Sequence, residues 1–128
     1  MTENMPDNLR ILIIEDNENN MELISFILEN NGFSMIKAET GKKGFEFACT
    51  LKPDAILLDI QLPDIPGTDV LSHLKASHLT RTIPVIAVTS YAMAGDKHKL
   101  LSAGCDGYIE KPIDPMRFVN QIKKVLGV

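Results

Sequence analysis

The sequence predicts an α/β protein built on a doubly wound, five-stranded parallel sheet. Short aliphatic runs alternate five times with longer segments of helical period, which is typical of repeated βα units. In the first, third and fourth runs the apolar residues are nearly continuous, as expected for parallel strands covered by helices on both faces. Right-handed crossovers between such strands give an open three-layer sandwich.

Polar or charged residues stand at the ends of four of the five predicted strands. The strands are RILIIE ending near Glu15, FSMIKA at 33–38, DAILLD ending at Asp59, IPVIAVT ending at Thr89 and GYIEK ending at Lys111. The carboxyl ends of parallel strands meet at one edge of the sheet, and doubly wound sheets bind ligands beyond that edge. We therefore expect acidic groups, a hydroxyl and an ammonium group to converge there.

The segments between and after the strands predict five helices. They cover 18–32, 41–52, 67–77, 94–104 and 114–126. Gly32 supplies a stop for the first helix, while Gly44 lowers the helix propensity of the second. Thr68 is a suitable cap for the third helix. The last helix begins with Asp114 as N-cap and Pro115 at its first position.

Length, charge and cysteine content limit the possible functions. The 128 residues predict a flexible tail over 1–8 and one domain over 9–128, with no effector domain. The net charge of −4, with acids and bases interspersed, disfavours direct nucleic-acid binding and a polybasic membrane anchor. With no long apolar run and no signal peptide, a cytoplasmic protein is expected. Cys49 and Cys105 have no metal-binding spacing and are expected to be reduced thiols.

Three carboxylates, those of Glu15, Asp16 and Asp59, are predicted to meet at the ligand-binding edge. Such a group is tolerable when a cation neutralises it or when one carboxyl stays protonated. Mg²⁺ fits, because it prefers oxygen ligands and is usually held by one or two carboxylates together with a phosphate oxygen. The lack of His and Cys in these segments argues against zinc.

Asp59 is the best candidate for a nucleophile, because it ends the central strand of the set. With a cation in place, its carboxylate could attack a phosphoryl group and form an aspartyl phosphate. Lys111 would balance charge on the phosphoryl oxygens, and Thr89 could donate a hydrogen bond to one of them. The Pro and Gly residues of the following QLPDIPG are expected to hold a loop open beside Asp59.

These residues together carry a family resemblance. The set Glu15, Asp16, Asp59, Thr89 and Lys111, with the motifs DIQLPDIPG and EKP, resembles the response-regulator receiver domain of two-component signal transduction. The match runs from about Leu9 to Leu126 and implies a flavodoxin-like sheet of strand order 2-1-3-4-5. DIQLP and TSYAMAGD are most similar to single-domain cell-cycle receivers and to the receivers of hybrid histidine kinases.

The resemblance implies a phosphoacceptor with a metal site beside it. Asp59 would accept the phosphoryl group, and Mg²⁺ or Mn²⁺ would be bound by Glu15, Asp16, Asp59 and the backbone carbonyl of Gln61. Glu15 departs from the family, which more often has Asp there, and Ser90 stands where Ala is common.

The resemblance also implies a switch. Thr89 would be the switch hydroxyl, Tyr108 the aromatic residue that moves with it and Lys111 the phosphate partner, followed by a cis bond at Pro112. The phosphodonor would be a sensor histidine kinase or a histidine phosphotransfer protein. Output would be binding of a protein partner to the face made by the fourth helix, fifth strand and fifth helix. The protein would be a monomer, or a dimer when phosphorylated.

Such a chain is a regulatory domain, which promotes phosphoryl transfer to its own aspartate and the hydrolysis of the product, and not a turnover enzyme. We expect it to stand alone, although it could be a fragment of a longer kinase. An aspartate-dependent phosphatase would need a second carboxylate at Gln61, together with a cap domain. A flavodoxin-like electron carrier would need a phosphate-binding loop where EDNENN stands. An adaptor of this fold that works without phosphorylation remains the alternative.

Overall fold

The computed structural model describes the backbone of residues 9–90 and 94–128 and the side chains of residues 9–90 and 97–128. Its strands are β1 (Arg10–Ile14), β2 (Ser34–Ala38), β3 (Ala55–Asp59), β4 (Val85–Thr89) and β5 (Gly107–Glu110). All neighbouring strands are parallel, in the order β2-β1-β3-β4-β5. The predicted fold class and strand order are confirmed. The expected tail over 1–8 lies outside the described residues.

Helices cover both faces of the sheet. They are α1 (Glu18–Glu29), α2 (Gly41–Leu51), α3 (Gly67–Ala76), α4 (Ala94–Ser102) and α5 (Pro115–Leu126). One core cluster joins the sheet to α1 and α5 through residues such as Leu28 and Phe118. The other joins it to α2, α3 and α4 through residues such as Ala48, Leu71 and Leu100. The predicted three-layer sandwich therefore has α1 and α5 on one side and the other three helices on the opposite side.

Side chains at several helix starts satisfy the backbone N–H groups that a helix leaves unpaired. Asn17 accepts from the N–H of Asn20, and Thr40 accepts from the N–H of Lys43. Asp114 caps α5, with Pro115 at its first position, as predicted. These caps fix where each helix leaves the loop at the carboxyl edge of the sheet.

One prediction about the helices is wrong. Thr68 does not cap α3, because the helix begins at Gly67, its N-cap is Pro66 and no side chain caps it. The N–H of Gly67 is bound instead by the carbonyl of Ile60 at 2.9 Å. The predicted second helix is present, and α2 continues through Gly44 despite the low helix propensity of glycine. A Cβ at Gly44 would collide with the side chain of Ile14, so glycine allows α2 to lie close to the sheet.

The described part of the chain contains no helix that is both long enough and apolar enough to cross a membrane. Cys49 is half-buried and Cys105 is buried, and both are free thiols, as expected. Burial raises the pKa of the Cys105 thiol. A thiol with a raised pKa is a poor nucleophile, so Cys105 acts as a small core residue.

Candidate functional site

The alternation of side chains along the strands brings three charged groups to one side of the sheet. Residues two apart on a strand share a face, and Ile13, Leu57 and Ile109 belong to the core cluster on the α1 and α5 side. The residues two positions later are Glu15, Asp59 and Lys111, so their side chains are on the same side of the sheet. These three residues lie at or just beyond the ends of their strands. The predicted convergence of the charged groups is thus present, with β1 and β5 each ending one residue early.

Lys111 lies between two buried carboxylates. Its Nζ is 3.0 Å from Oε1 of Glu15 and 3.5 Å from Oδ1 of Asp59. Glu15 is 2% exposed and Asp59 is 3% exposed. Asp16 is exposed, and one carboxylate oxygen from each of the three acidic residues lies within 4.8 Å of the others. One ammonium group therefore faces more than one negative charge in a largely dehydrated place.

The excess of negative over positive charge in this site affects the pKa of Asp59. The pKa of Asp59 is raised to about 6, and burial is the largest of several causes. The N–H of Gln61 donates to Oδ1 at 3.0 Å and acts in the opposite direction. The neighbouring Glu15 raises the pKa further, and Lys111 lowers it. Desolvation and a like charge thus outweigh the hydrogen bond and the ammonium group.

The acidic cluster fits a small hard cation. Oε2 of Glu15 accepts from the N–H of Asn17 at 3.2 Å. Oε1 is buried and accepts no hydrogen bond from the described residues, although Nζ of Lys111 is close to it. Three carboxylates lie close together beside one ammonium group, and the pKa of one of them is raised. A divalent cation would relieve the repulsion between these carboxylates. Oxygen ligands and the absence of His and Cys from the cluster favour Mg²⁺ or Mn²⁺.

The space beside the cluster is also acidic. A cavity of about 350 Å³ is bordered by the carboxylates of Glu15, Asp16, Glu18, Glu22 and Glu39, with Lys37 as its cationic side chain. Sequence reasoning missed this cavity because Glu39 follows β2, which was not among the strand ends considered. An anionic phosphodonor that approaches from this side meets negative charge until a cation is bound.

Thr89 and Tyr108 lie on the opposite side of the sheet from Asp59. Thr89 follows Val85 and Ala87 at intervals of two, and Tyr108 is paired with Ala87 and packs against the same core cluster. Thr89 is 1% exposed, and its carbonyl accepts the N–H of Lys111 at 2.8 Å. The main chain therefore joins the predicted switch residue to the loop that carries Lys111.

The half-buried ring of Tyr108 also contacts α4. Nζ of Lys97 lies 5.9 Å from the centroid of the ring, within the range of a cation–π contact. The Lys111–Pro112 peptide bond is cis. Ser90, the departure beside Thr89, directs its hydroxyl to Oε1 of Gln61 at 3.4 Å. Residues 91–93 of the motif TSYAMAGD lie outside the described residues, so its structure is described only in part.

The loop after Asp59 is closed at its base by a backbone hydrogen bond. The N–H of Gly67 donates to Ile60, and a side chain at Gly67 would collide with the backbone there. Sequence reasoning also missed Asp64, whose carboxylate accepts the N–H groups of Gly41 and Lys42 at 2.8 and 2.9 Å. The loop is therefore held both at its base and near its middle.

Comparison with known proteins agrees with this geometry. Residues 11–123 match the family of the response regulator receiver domain. The chain belongs to the response-regulator receiver family. It is 44% identical over 117 residues to the polar-differentiation response regulator DivK of Brucella anthropi, a match that covers 91% of this chain and 95% of DivK. Receivers are regulatory domains of two-component systems, so the family is one of signalling proteins and not of turnover enzymes.

Solved receiver structures superpose on nearly the whole chain. A CheY-like receiver domain protein from Methanospirillum hungatei is 34% identical, with a TM-score of 0.85 over 94% of this chain and 95% of that one. The receiver domain of the sensor histidine kinase PA1611 from Pseudomonas aeruginosa is 29% identical, with a TM-score of 0.86 over 94% of this chain and 99% of that one. In that structure a magnesium ion is coordinated in the active-site cleft.

Proposed function

We propose that this receiver accepts a phosphoryl group on Asp59 from a phosphohistidine and signals through a change in its protein-binding face. The observation that carries the proposal is the position of Asp59. It is a buried carboxylate within 4.8 Å of two further acidic groups and 3.5 Å from an ammonium group. In a cluster of charged side chains that served only stability, the numbers of carboxylates and ammonium groups would be closer to equal. The donor would be a sensor histidine kinase or a histidine phosphotransfer protein.

In the proposed transfer, a carboxylate oxygen of Asp59 forms the new bond to phosphorus. We assign the attack to Oδ2, because Oδ1 accepts the N–H of Gln61 and faces Lys111. The bond between phosphorus and the donor's imidazole nitrogen breaks, and its electron pair stays on that nitrogen. The hydrogen bond from Gln61 fixes the carboxylate in one orientation, which lowers the entropy cost of reaching the transition state.

A divalent cation held by Glu15, Asp16 and Asp59 would neutralise the carboxylates and stabilise negative charge on the phosphoryl oxygens. Lys111 is already within 3.5 Å of Asp59, so its ammonium group can remain near the new anion. Thr89, at the end of the neighbouring strand, would donate its hydroxyl to a phosphoryl oxygen. Coordination by the backbone carbonyl of Gln61 is part of the same proposal.

Phosphorylation would then act on the face made by α4, β5 and α5. Movement of Thr89 toward the phosphoryl group would leave space for Tyr108, which packs in the same core cluster as Ala87 and Leu100. A change from 1:99 to 99:1 between two states requires about 5.5 kcal/mol. A charged hydrogen bond contributes only about 1.5–3 kcal/mol. We infer that binding of the protein partner supplies the remainder.

Intact-protein mass spectrometry tests the phosphoacceptor. The protein would be incubated with Mg²⁺ and acetyl phosphate beside an Asp59→Asn variant. We expect one phosphoryl adduct that is labile to base, requires Mg²⁺ and is missing from the variant. Rapid hydrolysis would be checked with a stable phosphoryl mimic. If folded protein gave no adduct and bound no mimic, the adaptor that works without phosphorylation would replace this proposal.

The Thr89→Ala variant tests the switch. It should still accept the phosphoryl group on Asp59 but show a smaller change in the α4, β5 and α5 face, because one contact to the phosphoryl oxygens is lost. The change in the NMR shifts of backbone amides on that face, with and without the phosphoryl mimic, measures the effect. A shift as large as that of the parent protein would contradict the role of Thr89.

A further inference from the structure

One side chain connects the loop between β3 and α3, residues 60–66, to the start of α2. Oδ1 of Asp64 accepts the N–H of Gly41 at 2.8 Å, and Oδ2 accepts the N–H of Lys42 at 2.9 Å. These hydrogen bonds hold the pKa of the Asp64 carboxyl below its usual range. Asp64 is exposed and 23 residues from Gly41 in the sequence, so it makes this connection without belonging to the core.

The start of α2 depends on this carboxylate. The hydroxyl of Thr40 accepts a hydrogen bond from the N–H of Lys43 at 3.1 Å. The carboxylate of Asp64 accepts hydrogen bonds from the N–H groups of the two residues that precede Lys43. The first turn contains two lysines and no acidic residue. Positive side chains are unfavourable at the positive end of the helix dipole, and Asp64 supplies the missing negative charge from the loop.

The loop and α2 are also packed closely together. A Cβ on Gly41 would lie 2.7 Å from Cγ2 of Val70 and 2.8 Å from Cγ1 of Ile65. Real Cβ contacts are not this short, so glycine permits the approach that the Asp64 hydrogen bonds require. Neither the helix nor the loop can shift here without disturbing the other.

At its base the loop is closed by the hydrogen bond from Gly67 to Ile60. Gln61 therefore lies between two fixed points, this closure and Asp64. Its N–H is the group that orients the carboxylate of Asp59. A loop held on both sides keeps that N–H aimed at Oδ1, whereas a loop held only at its base would let it move.

We propose that Asp64 is a positioning residue for phosphoryl transfer, because it anchors the loop that places Gln61 against Asp59. The inference rests on the proposed function of Asp59. Asp64 touches neither the phosphoryl group nor the cation in this account. It acts through Gln61, so its removal should loosen the orientation of Asp59 without removing any reacting group.

Three variants separate positioning from helix capping. Asp64→Ala removes both hydrogen bonds to α2, and Asp64→Asn keeps one carbonyl oxygen as an acceptor. Thr40→Ala removes the other cap of the same helix without touching the loop, so it is the matched control for lost stability. Asp69→Asn, in the first turn of α3, controls for the loss of one negative charge in this region.

Two measurements are made on each protein. The first is hydrogen exchange of the Gln61 amide by NMR, without metal or phosphodonor, and the second is the rate of phosphorylation by acetyl phosphate with Mg²⁺. For Asp64→Ala we expect exchange about fivefold faster and phosphorylation about fivefold slower, factors that correspond to a difference of about 1 kcal/mol. Asp64→Asn should fall between Asp64→Ala and the parent. Thr40→Ala and Asp69→Asn should match the parent in both measurements.

The inference is overturned if Asp64→Ala and Thr40→Ala change both measurements equally, because Asp64 would then be only a helix cap. It is also overturned if Asp64→Ala leaves Gln61 exchange unchanged. Should Asp64→Ala fail to fold, Asp64→Asn against Thr40→Ala decides the same question. A parent protein that accepts no phosphoryl group contradicts the proposed function instead, and the exchange ratio still shows whether Asp64 positions Gln61.

Discussion

Both ends of the sheet place a lysine against carboxylates, with different results. At the amino end, Nζ of Lys75 lies 3.0 Å from Oδ2 of Asp106, and that oxygen also accepts the N–H of Val85 at 2.9 Å. Lys75 further donates to the carbonyl of Ile83 at 3.3 Å. One cation meets one anion here, and backbone groups share in the pairing.

At the carboxyl end, Lys111 faces both Glu15 and Asp59, and the pKa of Asp59 rises to about 6. One ammonium group does not balance the carboxylates at this end, and the repulsion that remains between them lowers the free energy of unfolding. The contrast is between an ion pair that the backbone completes and a group of carboxylates in excess, whose repulsion a cation would reduce. Variants at the two ends of the sheet test this distinction.

The largest effect is expected from Asp59→Asn without divalent cations. A carboxyl whose pKa is raised in the folded state stabilises the fold below its unfolded pKa, about 4, and this contribution is lost as the pH rises through about 6. Two pKa units correspond to about 3 kcal/mol at most, so the variant should be about 2–3 kcal/mol more stable than the parent at pH 7. The advantage should vanish near pH 4.

Urea unfolding at pH 7 and pH 4, in the presence of a chelator, measures this difference. Asp54→Asn is a control at the amino end of the sheet, where its carboxylate accepts the N–H of Arg10. It should not become more stable at pH 7. An Asp59→Asn variant no more stable than the parent at pH 7 would show that the carboxyl end stores no excess charge.

Lys111→Met should have the next largest effect. Breaking a fully buried ion pair costs about 3–5 kcal/mol when the charge that is left cannot be neutralised. Here Asp59 can take up a proton, and at pH 7 a pKa of about 6 limits that cost to about 1.4 kcal/mol. We therefore expect a loss of about 1.4 kcal/mol at pH 7, which should become smaller at pH 5.

Combining Lys111→Met with Asp59→Asn should remove most of that loss, because less uncompensated charge would remain. Urea unfolding of the two single variants and the double variant at pH 7 gives the coupling energy between the two positions. Additive changes in the free energy of unfolding would mean that Lys111 does not interact with Asp59 in the folded protein.

Much of this arrangement could be predicted from the sequence, because the predicted strands are parallel and four of them end in polar or charged residues. Glu15, Asp59 and Lys111 could be placed at one edge by that rule alone. Asp64 could not, because it lies in a loop, its partners are at the start of the distant α2, and nothing local distinguishes it from an ordinary turn residue. The Thr68 prediction failed for a related reason, since Gly67 begins the helix through a hydrogen bond to Ile60.

The role of Gly44 was also beyond sequence reasoning. Helix propensity counts glycine as a cost, but Gly44 lies directly against Ile14, where a side chain would not fit. Propensity is a local property, and close packing between a helix and a sheet overrides it. The raised pKa of Asp59 required the structure for the same reason, because its main cause is burial by residues distant in the sequence.

The smallest effect is expected at the amino end, from Asp106→Ala. The variant leaves the N–H of Val85 without its carboxylate partner, but Asp106 is 43% exposed and water can replace it. We therefore expect the free energy of unfolding to fall by about 1 kcal/mol, which is the lower limit for a backbone group left without a hydrogen-bond partner. Asp106→Asn keeps an oxygen for Val85 and gives up only the attraction to Lys75, a partly exposed pair that contributes about 0–1 kcal/mol. The asparagine variant should therefore lose less stability than the alanine variant.

Both losses of stability should be the same with and without Mg²⁺, and Asp59 should be phosphorylated at the same rate as in the parent protein. A folded Asp106→Ala protein that was phosphorylated much more slowly would show that the two ends of the sheet are coupled.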